Sequence, residues 1–222
     1  MGHYTGPYIN RCALFCQLRI FMLFDDTYKT IANPSEGIFK DKGSKFIAYL
    51  YPIRSETEIK DIITNLKSLH PKARHHCWAM RLSPDRTVFR INDDGEPSGT
   101  AGRPILNTLL SHELTDILAV VVRYFGGTLL GVPGLINAYK TATSEAIKMS
   151  EIIVKTIDIT CLIEFDHPKI NEVMRIIKEE DVHIASQHFD LNCSMVLKIR
   201  QSMVNKVSGR LQKIDGLTLR FQ

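Results

Sequence analysis

Residues 117–125 read ILAVVVRYF, apolar at nearly every position until Arg123. A strand with one wet face alternates apolar and polar residues, so a continuous apolar run predicts a central strand covered on both faces. The chain must therefore build at least three layers around this run. Glycine clusters flank it: Gly95, Gly99 and Gly102 before, Gly126, Gly127, Gly131 and Gly134 after, seven of the chain's 13 glycines. Glycine serves positive φ or close backbone approach, so both clusters predict loops built for a ligand surface. A straight nine-residue strand at ~3.3 Å per residue would part the clusters by ~30 Å. One shared site therefore requires the helix predicted over residues 104–112 to carry the first loop back to the strand's far end.

The rest of the chain reads as scaffold. Residues 46–53 predict a strand, after a polar turn at residues 40–45. Ser55 and Glu58 form a capping-box pattern ahead of a helix with Ile59, Ile62, Ile63, Leu66 and Leu69 on one face. Residues 75–82 and 87–91 predict a hairpin turning at residues 83–86. Pro104 and Pro133 sit in the first turns of two helices, and Leu135, Ala138, Tyr139, Ala142 and Met149 share a face of the second. After Glu151 the order is β-α-β-β-α-β, the ferredoxin-like pattern. The resulting division is an extension over residues 1–21, a first domain over 22–151 and a second over 152–222. Met22 is the expected natural start.

Composition narrows the function classes little. The chain has 222 residues, a net charge of +4 and a pI near 8.8, which permit an anionic partner without requiring one. The basic excess lies in residues 32–150, with 15 Lys and Arg against 12 Asp and Glu; residues 156–222 balance at nine each. Five scattered cysteines without zinc-site spacing predict reduced thiols in a cytoplasm, no metal and no cofactor. No apolar run nears the ~20 residues of a membrane span.

Several groups could carry chemistry. Asp93, Asp94 and Glu96 could hold a cation or simply form a tight turn. Gly99, Thr100, Ala101 and Gly102 precede a helix whose free N–H groups could cradle phosphate, and Gly126, Gly127 and Gly131 repeat the arrangement beside Arg103 and Arg123. His75 and His76 point to opposite sides of a strand, so one of them faces the site. Arg74, His75, Arg81, Arg90, Arg103 and Arg123, interleaved with Trp78, Tyr124 and Phe125, are the residue types that grip phosphate and stack bases. Against that, Trp78, Phe125 and Cys77 read as core.

DDGEPSGTAGRPIL at residues 93–106 and VVVRYFGGTLLGVPGLINAY at 120–139, with KF at 45–46 and ARHHCWA at 73–79, resemble the YigZ/Impact family. The resemblance covers residues 45–150, and the trailing unit is similar to the second domain of bacterial members. It implies a first domain of the ribosomal protein S5 domain 2-like type, akin to domain IV of elongation factor G, followed by a ferredoxin-like domain, an α+β chain throughout. Eukaryotic Impact proteins carry a further N-terminal domain and restrain a kinase that inhibits translation initiation; without that domain the kinase role does not transfer. The family motif maps onto His75, Asp93, Asp94, Gly95, Glu96, Pro97, Thr100, Ala101, Gly102, Pro104, Arg123, Tyr124, Gly126, Gly127, Leu130, Gly131, Gly134, Leu135 and Tyr139.

Three functional readings follow. The first is a cytoplasmic, translation-associated protein that binds RNA, the ribosome or a translation factor through the glycine-rich face. The second is an enzyme for a small phosphorylated or acyl substrate, with His75 as base and Asp94 or Glu96 as acid or metal ligand. The third is a protein-interaction module. On the first, Arg123→Ala should weaken ligand binding and leave folding intact.

Overall fold

The computed structural model describes residues 26–83, 87–190 and 193–221. The extension expected over residues 1–21 and the turns expected at 84–86 and 191–192 lie outside the described residues. Two compact α/β units are present. One is Thr27–Lys155; the other comprises the residues from Thr156 onward together with Asp26.

The first unit is built on a five-stranded antiparallel sheet. Its strands are β2 (Ser35–Asp41), β3 (Ser44–Pro52), β4 (His75–Leu82), β5 (Val88–Asn92) and β6 (Ile117–Tyr124), in the order β2-β3-β6-β4-β5. A short pair, β1 (Thr27–Ile31) with β7 (Ile152–Thr156), lies beside it. The apolar run thus forms the middle strand, and its two faces feed two cores. Leu118 and Val120 pack with Ile59 and Leu66 of α1 (Thr57–Leu69). Ala119 and Val121 pack with Ile105 and Leu109 of α2 (Gly102–Ser111) and with Ala138 and Ala142 of α3 (Gly131–Lys148). Helix α2 lies across β4 and β5, and α3 across β2 and β3. Gly37 admits that approach: a Cβ there would sit 2.1 Å from the Ala146 backbone nitrogen.

Two local expectations need correction. Glu58 does turn back, taking the N–H groups of Arg54 and Ser55 at 2.7 and 2.9 Å. Ser55 Oγ, however, meets Thr57 Oγ1 at 2.6 Å instead of a backbone N–H, so only half a capping box forms. Met149 follows the last turn of α3 and is exposed, because the helix ends at Lys148.

The second unit runs β8 (Asp158–Phe165), α4 (Ile170–Glu179), β9 (His183–Phe189), β10 (Cys193–Arg200), α5 (Val204–Leu211) and β11 (Thr218–Phe221). Its sheet is antiparallel, in the order β11-β8-β10-β9. Cys161, Ile163, Met195 and Leu197 meet Val173, Ile177, Val207 and Leu211 in its core.

Candidate functional site

Strand register brings the two glycine loops to one end of the sheet. Arg123, near the end of β6, pairs with His75 at the start of β4, while Trp78 of β4 pairs with Asn92, the last residue of β5. The first loop therefore leaves β5 where β6 finishes. Helix α2 runs back along the sheet and β6 returns, so the ~30 Å separation of a straight strand never arises.

The first loop spends one of its three acids on itself. Asp93 Oδ1 accepts the N–H groups of Ala101 and Gly102 at 3.1 and 2.8 Å, and Oδ2 accepts Gly99 N–H at 2.9 Å. The expected phosphate cradle is thus filled by the chain's own carboxylate, which also suits the positive end of the α2 dipole. Thr100 is buried with its hydroxyl on Pro97 O at 2.6 Å, so it too serves the turn. Asp94 and Gly95 both hold positive φ, 42° and 85°. That left-handed pair parts the remaining acids. Asp94 Oδ2 accepts His76 N–H at 2.6 Å on the α1 side, while Glu96 turns to the α2–α3 side.

Glu96 is the hub of a buried network, its side chain 4% exposed and that of Arg123 6%. Glu96 Oε1 accepts from Arg123 Nη1, and from the Tyr139 hydroxyl at 2.9 Å. The Arg123 guanidinium lies 5.4 Å from the Phe46 ring centroid and 5.7 Å from that of Phe125, stacked by both rings. Cys77 Sγ–H points to the Tyr139 hydroxyl at 3.2 Å and lies 3.0 Å from Asp93 O. Burial is the main cause pushing both the Cys77 thiol and the Tyr139 phenol far up, so Cys77 stays protonated and inert. Arg123 is therefore a structural cation, and its removal should cost folding as well as binding. This replaces the expectation of an intact fold.

Beside this hub a cleft of about 460 Å³ opens between the loops, with Arg74, His75, Arg123, Phe125, Leu129 and Val132 in its wall. His75 Nδ1–H donates to Asp94 O at 2.8 Å, which anchors the ring and sets Nε2 3.9 Å from Glu96 Oε1. Arg74 is exposed at the mouth, its backbone N–H held by Arg123 O at 2.9 Å. The first turn of α3 also borders the cleft, and its N-cap residue Leu130 makes no side-chain cap hydrogen bond. Its N–H groups are the ones left to an anion.

Other expected residues lie elsewhere. Arg81 is buried at the far end of β4, giving Nη1 to Leu114 O at 3.0 Å, because β4 carries it six residues from His75. Arg103 is exposed on α2 and is not in the cleft wall. The Tyr124 hydroxyl meets His70 Nδ1 at 2.8 Å on the α1 side, the side that its even register position dictates. Gly126 is a packing glycine: a Cβ there would stand 1.9 Å from the Gly43 carbonyl carbon. Gly127 and Gly131 take φ of 88° and 70°, and only Gly131 touches the cleft. Among the described residues no three His, Cys, Asp or Glu gather as metal ligands. No helix among them is long and apolar enough to cross a membrane.

Sequence reasoning assigned Phe125 to the core and passed over Leu129 and Val132. Phe125 is 43% and Leu129 82% exposed. The readable signal was large apolar residues inside a glycine loop, where burial has no reason to place them. Trp78 is half-buried and lines a second recess, on the α1 side.

Residues 42–147 match the Impact N-terminal domain. An IMPACT family member of Haemophilus influenzae is 36% identical over 178 residues, which are 79% of this chain and 86% of the relative. The IMPACT family member YvyE of Bacillus subtilis is 30% identical over 190 residues, 86% of this chain and 88% of the relative. A crystal structure of a hypothetical protein superposes with a TM-score of 0.67 at 27% identity, covering 88% of this chain and 97% of its own.

Proposed function

The chain belongs to the IMPACT family, and on that premise we propose that it is a translation-related regulatory protein that binds RNA or the ribosome through the cleft between its two glycine loops. The observation that carries this reading is the convergence of Arg74, His75 and the uncapped first turn of α3 on one cleft. Phosphate binds at Arg74 and the α3 N–H groups. The apolar wall of Phe125, Leu129 and Val132 takes an unpaired base or sugar, so the contact is with single-stranded rather than duplex RNA. In the same reading the first unit is akin to domain IV of elongation factor G. The second, with its β11-β8-β10-β9 order, is ferredoxin-like.

Anisotropy of a labelled single-stranded RNA dodecamer tests the cleft. Binding at low salt should fall linearly on a log–log plot as salt is added. An oligonucleotide that does not bind at low salt overturns the reading.

A second reading, an enzyme for a small anionic substrate, is favoured by one feature: His75 Nδ1–H is anchored and Nε2 faces the Glu96 carboxylate. Asp94 cannot assist from the other side of the sheet, and Arg123 and Tyr139 already hold Glu96. His75 would act alone as base. An imidazole NMR signal of His75 unmoved by inorganic phosphate excludes that substrate site.

A further inference from the structure

The face of the sheet opposite the cleft carries a second recess, of about 430 Å³, between α1 and the β4–β5 edge. Its floor includes Trp78, the chain's single tryptophan. Lys60 and Lys67 stand seven residues apart on α1, hence on one face and about 10.5 Å apart along the axis. Arg90 and Asn92 face them from β5. Asn92 Oδ1 is committed to Asp94 N–H at 2.6 Å, which leaves its NH₂ as the half a base edge can use.

Both acids here have partners. Glu56 is held by Arg90 at 2.9 Å, and Asp94 lies 4.0 Å from Lys67 while accepting His76 N–H. Three cations thus face two carboxylates, a net excess of one positive charge.

We infer that this recess is a second RNA contact, in which an unpaired base stacks on Trp78 while Lys60, Lys67 and Arg90 hold the flanking phosphates. Stacking on an aromatic platform with cations along the backbone is how single strands are gripped. An acidic peptide would use the cations but leave the indole and the Asn92 amide without a role. The turn at residues 93–97 joins the two sites, with Asp94 in the wall of the recess and Glu96 in that of the cleft. A strand crossing that turn reaches both. The inference rests on the RNA reading for the polymer's identity, but its residues are separate from those of the cleft.

The lone tryptophan makes the test specific. A single-stranded RNA dodecamer is titrated into the whole protein, followed by Trp78 emission and, with labelled RNA, by anisotropy. Emission should be quenched at low salt and recover as salt is added. The exposed pair Lys60→Ala/Lys67→Ala should lower the log–log salt slope by about 1.4, at ~0.7 per phosphate contact on a single strand. If anisotropy reports binding while Trp78 emission stays constant and the double variant binds like wild type, the recess is off the RNA path and the cleft reading stands. If the dodecamer fails to bind by either readout, both readings fall. If poly-glutamate quenches Trp78 equally at matched charge, the recess is an acidic-protein site and the inference is overturned.

Discussion

Helices α2 and α3 start alike in sequence, each behind a glycine cluster and each with a proline in its first turn. Their N-termini end up as opposites. That of α2 is closed by Asp93, whose carboxylate takes three backbone N–H groups. That of α3 takes no side-chain cap from the described residues and opens on the cleft. A glycine-rich helix start is therefore not an anion site until its local acids are accounted for. What separates the two is one aspartate placed nine residues before Gly102. Glu96 ties the closed start to the open one, since it lies in the first loop and binds Arg123 and Tyr139 beside the second.

Cutting that tie should have the largest effect. Glu96→Ala leaves Arg123 buried, between two rings and without its carboxylate, which should cost about 3–5 kcal/mol. Replacing both charges, as in Glu96→Gln/Arg123→Met, should cost far less, because no lone charge stays buried. Urea denaturation of the three proteins checks this. Equal losses in the single and double variants would mean the pair is not the link between the two starts.

Asp93→Ala comes next, at about 2 kcal/mol, because it removes a cap and strands buried donors. It also turns the closed start into an open one. Inorganic phosphate should then raise the melting temperature of the variant more than that of wild type. Equal shifts would break the contrast between the two helix starts. Tyr139→Phe should cost about 1 kcal/mol, since Glu96 keeps Arg123 and the Cys77 S–H turns to Asp93 O, 3.0 Å away, when the hydroxyl is gone. Urea midpoints resolve a change of that size.

The frame of this fold was legible because the evidence for it is periodic. A run without alternation placed β6 in the middle of its sheet, and strand parity left one histidine for each face. The pairing of His75 with Arg123 then put His75 on the cleft side. What stayed hidden was the choice of partner. In sequence, Asp93 reads as a cation ligand or a turn residue, and only the backbone of residues 94–102 folding over it makes it the cap of α2. Arg123 resembled a ligand-binding arginine because a buried cation announces itself only through its acid, Glu96, 27 residues away. Phe125 matched the apolar strand before it, yet it is the first residue past Tyr124, where β6 ends and cover stops.

The smallest effect on stability should be the most informative about binding. Arg74 is exposed at the mouth of the open start, and its backbone, not its guanidinium, is what the fold holds, through Arg123 O. Arg74→Ala should therefore leave stability within about 0.5 kcal/mol, as surface substitutions do. If an RNA phosphate sits there, the same change should lower the salt slope by about 0.7, one contact's worth on a single strand. Asp93→Ala should leave that slope unchanged once its lower stability is allowed for, since its helix start lies outside the cleft. An unchanged slope in Arg74→Ala, in a protein that still binds RNA, would mean that the open start of α3 is not where phosphate goes. The contrast between the helix starts would then be one of packing alone.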